Sequence, residues 1–187
     1  MVESAPRAVV SAAQARQGVA IRTLPPESRF SLRLPMRAIA DAGEVAGFPL
    51  ALAINRCAQN GARWSARLGP NEWLIGGPAA DGVSIEQEVE AALAGQVHAL
   101  ADVSHRHVAI EISGVEAPAI LNAGCPLDLS AEAFPPGTAT RTLLAKAEII
   151  LMRPGEAAAF RVECWRSFAE YVHGFLAESA RDCPPLA

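Results

Sequence analysis

Lysine is almost missing from this chain: of 16 cationic side chains, only Lys146 is a lysine and the rest are arginines. No run of them could track a phosphate backbone, and the formal charge of −4 opposes a polyanion, which excludes nucleic acid as a partner class. The arginines accompany abundant alanine, so they read as coding bias and not as a binding signal. No apolar run approaches the ~20 residues that span a bilayer, so a membrane is excluded too; FPLALAI and EIILM are of strand length. The opening MVESAPRAVVSAAQARQ carries Glu3 where a secretory signal wants cations and has no compact apolar centre. An ordinary frayed terminus and a soluble cytoplasmic protein are expected. Cys57, Cys125, Cys164 and Cys183 form no CxxC pair, which disfavours structural zinc and predicts free, mostly buried thiols. Cys125, between Gly124 and Pro126, reads as a core or turn residue and not as a nucleophile. Neither phosphate loop GxxxxGK[ST] nor GxGxxG occurs, and Ser104 lacks the GxSxG elbow of a serine hydrolase.

What is present is globular composition, 51% hydrophobic and 19% charged over 187 residues. That length makes one domain, taken as 18–182, with a flexible N-terminal segment 1–17 and a tail 183–187. VAIRTL and FSLRLP alternate as strands, PLALAINR reads as another, and ARWSARLGPNEWLIGGP as a hairpin over Gly69-Pro70-Asn71. SIEQEVEAALAG is a predicted helix, with Ser84 and Gln87 as a capping box and Gly95 as its stop. GVEAPAILNAGCPLDL predicts a short helix ended at Gly124-Cys125-Pro126. TRTLLAKAEIILMRP suits one long bent strand or two in sequence, and AAFRVECW pairs with it over Pro154-Gly155. SFAEYVHGFLAESARD is the last helix, with Ser167 and Glu170 as a capping box and Phe168, Val172, Phe175 and Leu176 as its stripe. The sum is an α+β fold, an antiparallel sheet with helices on one face.

Chemistry is concentrated in ALADVSHRHVAIEISGV, read as one strand. His105 and His107 lie two apart, so both rings would project from one face, and with Asp102 they have the residue types of a metal site. Three ligands from one extended segment rarely enclose an ion, however, and no nucleophile accompanies the histidines for acid–base work. Asp102 and Ser104 are read instead as strand-entry residues that bond exposed backbone groups, with the histidines and Arg106 as a polar edge. Trp64 and Trp73 are expected in the core, whereas Trp165-Arg166 at the mouth of a helix fits an interface anchor. The candidate interface set is His105, Arg106, His107, Trp165 and Arg166; the catalytic set and the metal set are empty.

LGPNEWLI, DVSHRHVAIEISG, AGCPLDL followed by FPPG, RTLLAKAEIIL and FRVECWRSFAEYV occur in this order. Together, from about Arg63 to the end of the last helix, they resemble the gamma subunit of heterotetrameric sarcosine oxidase. The DVSH…SG segment followed by a short helix also resembles, more distantly, the folate-binding domain of the glycine-cleavage aminomethyltransferases, which implies their α+β fold. The resemblance implies an accessory subunit with no active site of its own, in a complex that oxidatively demethylates sarcosine to glycine. It implies alpha, beta and delta subunits as partners, with FAD, FMN, NAD and tetrahydrofolate held by the other subunits and no cofactor on this chain. The alternative it leaves open is a short tetrahydrofolate-binding one-carbon transferase, with Asp102 and His105 near the pterin.

Overall fold

A computed structural model describes residues 14–16, 18–35 and 43–183 of the chain. The flexible segment expected over 1–17 and the tail over 183–187 lie largely outside the described residues. The described strands are β1 (Gln14–Arg16), β2 (Val19–Thr23), β3 (Glu27–Arg33), β4 (Glu44–Val45), β5 (Phe48–Pro49), β6 (Arg56–Asn60), β7 (Arg63–Gly69) and β8 (Glu72–Pro78). They continue with β9 (Ala99–Asp102), β10 (His107–Ser113), β11 (Thr138–Leu144), β12 (Ala147–Arg153) and β13 (Ala159–Trp165). The described α-helices are α1 (Gly82–Ala92), α2 (Ala117–Asn122) and α3 (Ala169–Asp182).

Eleven strands form one sheet in the order β1-β2-β10-β13-β12-β11-β6-β7-β8-β3-β9, with β4 and β5 as a separate hairpin. Every pairing is antiparallel. Strand alternation sorts the side chains onto two faces. On one face Ile110, Ile112, Leu151 and Val162 pack with Ile120, Leu121, Val172 and Leu176 of α2 and α3. Further along the same sheet Phe30, Leu32, Trp73 and Ile75 pack with Ile85 and Val89 of α1. The opposite face carries Trp64, Ala66, Leu74, Ala139, Ile150 and Met152, drawn from both halves of the sheet into one cluster. These halves meet at a narrow seam, since β11 and β6 share the single register pair Thr138↔Arg56. The sheet therefore curls, helices outside and the mixed cluster inside. Trp64 lies flat against β8, where a Cβ at Gly76 would stand 2.3 Å from its ring. The expected α+β architecture with helices on one sheet face is what the chain forms.

Four local expectations need correction. PLALAINR is not a strand between Pro49, which ends β5, and Arg56, which opens β6. Its carbonyls are taken by side chains: the Trp73 indole N–H donates to Ala51 O at 3.1 Å, and Arg67 and Ser65 donate to Leu52 O and Pro49 O. Once those acceptors are satisfied, no strand ladder is required of the segment. Neither capping box forms. A 3₁₀ turn, Ala79–Asp81, leads into α1, so the helix begins two residues before Ser84, whose hydroxyl instead donates to Asp81 O at 2.9 Å. Another 3₁₀ turn, Arg166–Phe168, precedes α3 and takes Phe168 out of helical phase; it is exposed, while Ala169, Val172, His173 and Leu176 are buried. Finally, the stretch from Ala99 to Ser113 is two strands. β9 pairs with β3, and β10 pairs with β13 and β2.

Candidate functional site

The break between β9 and β10 falls on the polar cluster, residues 103–106. Asp102 Oδ1 accepts from the Ser104 N–H at 2.8 Å and from the Ser104 hydroxyl at 2.5 Å. Ser104 Oγ in turn accepts the Arg29 N–H at 2.9 Å, and the Val103 N–H donates to Arg29 O at 2.8 Å. Asp102 and Ser104 thus close the turn onto β3, using short polar side chains to satisfy backbone groups that have no ladder partner. The turn also separates the histidines: His105 is exposed within it, and His107 is the first residue of β10. They do not share a strand face. Among the described residues, no three His, Cys, Asp or Glu side chains gather into a metal-holding group.

The turn meets the end of β13. His107 is the register partner of Trp165, and the Arg166 N–H donates to Arg106 O at 2.8 Å. The Arg106 guanidinium lies 4.8 Å from the centroid of the Trp165 ring, within cation–π range. The structure therefore brings Arg106, His107, Trp165 and Arg166 to one end of the sheet, with His105 beside them in the turn. Trp165 is 41% exposed, whereas Trp64 and Trp73 are buried.

Behind this end lies a group of charges that sequence reasoning missed. Glu163, fully buried on β13, receives Arg29 Nε at 3.0 Å and Arg161 Nε at 2.8 Å. Arg161 also grips Glu27 through both terminal nitrogens and lies 4.4 Å from the Trp64 centroid, while the Trp64 indole N–H donates to Glu27 at 3.3 Å. β3 and β13 stand six places apart in the sheet, so these pairs close the curl across its interior. Burial would raise the Glu163 carboxyl, but Arg161 and Arg29 overcome it and hold the group below its ordinary 4.5. Burial would likewise lower Arg161; Glu163 and Glu27 outweigh that and raise it. Each carboxylate is neutralised by a guanidinium that cannot give up its proton, so the quartet works as a clamp and not as an acid–base pair. The only sequence signal was Arg161 and Glu163 at alternate positions, and that is the pattern of a solvated strand face.

The remaining reactive side chains are quiet. Burial pushes the Cys57 thiol up to about 11 and, with Glu163 adding to it, the Cys164 thiol up to about 12, so neither is a thiolate at neutral pH. Burial also lowers the His107 ring below 6.5, leaving it neutral. Two recesses open at the ends of the curled interior. One, of about 220 Å³, is walled by Trp64, Met152 and the Arg161–Glu27 pair. The other, of about 60 Å³, lies beside Trp165 and is lined by Arg106, His107 and Arg141.

Comparison with known proteins gives these arrangements a family. A sarcosine oxidase subunit gamma from Arthrobacter sp is 38% identical over 89 residues, 48% of this chain and 43% of that protein. The chain thus matches under half the length of that curated relative. In fold it is similar to a chain of the heterotetrameric sarcosine oxidase from Corynebacterium sp. U-96, solved in complex with pyrrole 2-carboxylate. The TM-score is 0.77 at 24% identity, over 90% of this chain and 88% of that one. The aminomethyltransferase T of the glycine cleavage system from Bartonella henselae shares the fold at TM-score 0.65 and 12% identity, over 88% of this chain and 46% of that one. Residues 36–182 match the sarcosine oxidase, gamma subunit family, well over half of the sequence, and the chain belongs to that family.

Proposed function

We propose that this chain is an accessory subunit of a heterotetrameric sarcosine oxidase and that it contributes by docking, while larger subunits carry the flavins, nicotinamide nucleotide and folate. The observation that carries the reading is the family match over residues 36–182. The fold likeness to a chain of a heterotetrameric sarcosine oxidase, over 90% of this sequence, supports it. In this reading His105, Arg106, His107, Trp165 and Arg166 belong to the docking face.

The alternative, a small tetrahydrofolate-dependent transferase, needs Asp102 to grip a pterin through both carboxylate oxygens. Here Oδ1 already holds two donors from Ser104, which argues for the accessory role. Co-expression with the larger subunits tests it. The expected result is a stoichiometric complex on size exclusion, with flavin absorbance confined to fractions holding the large subunits and no heat on titrating this chain alone with tetrahydrofolate. A chain that elutes alone after co-expression, or that binds tetrahydrofolate by itself, overturns the reading.

A further inference from the structure

Around the Arg106–Trp165 stack, exposed apolar side chains stand beside arginines and carboxylates. Register places Leu143 and Glu148 on the same cross-strand row as Trp165 and His107: Leu143 pairs with Glu148, and Cys164, one residue before Trp165, pairs with Ile149. Leu143 is 50% exposed. On the helix-covered side of the same sheet end, Phe168 and Tyr171, each 39% exposed, have ring centroids 6.5 Å apart, and the Tyr171 hydroxyl accepts from the Lys146 N–H at 3.3 Å. Isolated apolar residues on a surface mean little, but an exposed tryptophan under an arginine, with an exposed leucine on the same cross-strand row, has the composition of an interface centre.

The charges in and around the small recess favour one kind of partner. Arg33 and Arg141 share the one carboxylate of Glu72, at 3.3 and 2.5 Å, so that group keeps a positive charge over. Glu163 is neutralised from within by Arg29 and Arg161. Arg106 makes no ion pair among the described residues; Lys146 in the β11–β12 turn and Arg166 in the 3₁₀ turn add two cations, and Asp102, Glu148 and Glu170 add three anions, which leaves these groups with one cation in excess. In a chain of net charge −4 this end is thus locally cationic. His107 also lines the recess, with its Nδ1 buried and without a hydrogen-bond partner among the described residues. A recess of about 60 Å³ has room for a carboxylate group.

From this we infer that the recess receives an acidic side chain, Asp or Glu, from a larger subunit of the complex, which pairs with Arg106 while apolar residues beside it cover Trp165 and Leu143. The inference rests on the accessory-subunit reading and assigns that reading its surface and the chemistry of its partner. The 220 Å³ recess at the other end has a charge-balanced floor and no unsatisfied donor, so it offers no comparable anchor.

The test uses the full chain co-expressed with its large subunits and compares Arg106→Glu and Trp165→Ala with Val97→Lys, a change at a 78%-exposed position away from the patch. Circular dichroism and thermal melting establish that each variant folds, as expected for exposed positions. Both patch variants should weaken association roughly tenfold or more, with Val97→Lys unchanged. Wild-type association should weaken as salt rises, and Arg106→Glu should abolish that dependence. A wild-type chain that forms no complex overturns both the subunit assignment and this surface. A wild-type complex that Arg106→Glu and Trp165→Ala leave intact overturns the surface alone.

Discussion

Replacing Glu163 with glutamine keeps its volume but removes the charge that Arg29 and Arg161 share. Both guanidiniums are then left in a site where Arg29 is 2% and Glu163 1% exposed. Breaking a buried pair from one side costs about 3–5 kcal/mol, because the surviving charge is desolvated without its partner. Glu163→Gln should lower unfolding free energy by that order in urea titrations; a loss under 1 kcal/mol would show that water reaches the quartet. The sign with pH follows from the lowered carboxyl. Below about 4.5 the unfolded state takes a proton that the folded state still refuses, so this contribution is complete above 4.5 and fades as pH falls through the lower folded value. Wild-type stability should therefore drop steeply on the acid side of 4.5, and Glu163→Gln should flatten that limb. Below 6.5 His107 and His173, both lowered by burial, also cost stability as pH falls, whereas His98, which its bonds to Gln96 and Glu90 raise, acts above 6.5, its contribution fading as pH rises through the raised value.

Among the elements, the connections are under the tightest constraint. Gly114 ends β10 with φ at 122°, and a Cβ there would stand 2.0 Å from Gly18 O in the turn before β2. Two backbones meet at that point, and neither can swing aside as a side chain would. Gly114→Ala should cost on the order of 3 kcal/mol or more. Gly155, in the β12–β13 connection, faces open space with no positive φ, so Gly155→Ala should be neutral or stabilise by about 0.5 kcal/mol through the unfolded chain. Thermal melts of the two variants check both, and equal melting temperatures would refute the account. The same distinction explains what could be read from the sequence. Hairpins such as β7–β8 and β12–β13, and helices α1 and α3, were legible because their signals are local: alternation, turn residues and a 3.6-residue stripe. PLALAINR had the apolar run of a strand but lost its ladder to Trp73, Arg67 and Ser65, which reach it from elsewhere in the fold. The capping boxes gave way to 3₁₀ turns. Of the candidate site, Trp165, Arg166 and the backbone-bonding role of Asp102 and Ser104 could be read from residue type, whereas the turn they close could not. Leu143, Phe168 and Tyr171 could not, because their exposure is decided by the packing of β11 and α3. The quartet was hidden for the reason already given: its charges alternate as an exposed face would.

At the scale of the molecule, the two halves of the sheet are joined more by side chains than by backbone. The outer cores are separate, one under α2 and α3 and one under α1, and the inner cluster and the Arg29–Glu163, Arg161–Glu27 and Arg141–Glu72 pairs span both halves. Along the seam, the Cys57 N–H donates to Gly137 O at 2.8 Å and the Ala139 N–H to Asn55 O at 3.0 Å, beside the lone Thr138↔Arg56 register pair. A seam so short can part while each half keeps its own helix-covered core, which is the condition for sub-global opening. Native-state hydrogen exchange should find the amides of Cys57 and Ala139 opening several kcal/mol more easily than those of Ile110 and Val162 within the β10–β13 ladder. Cutting the clamp with Glu163→Gln should lower both sets of amides, because the clamp crosses the interior that either opening must expose. If Cys57 and Ala139 instead exchange only at the global unfolding free energy, the halves do not part separately and the curled sheet opens as one unit.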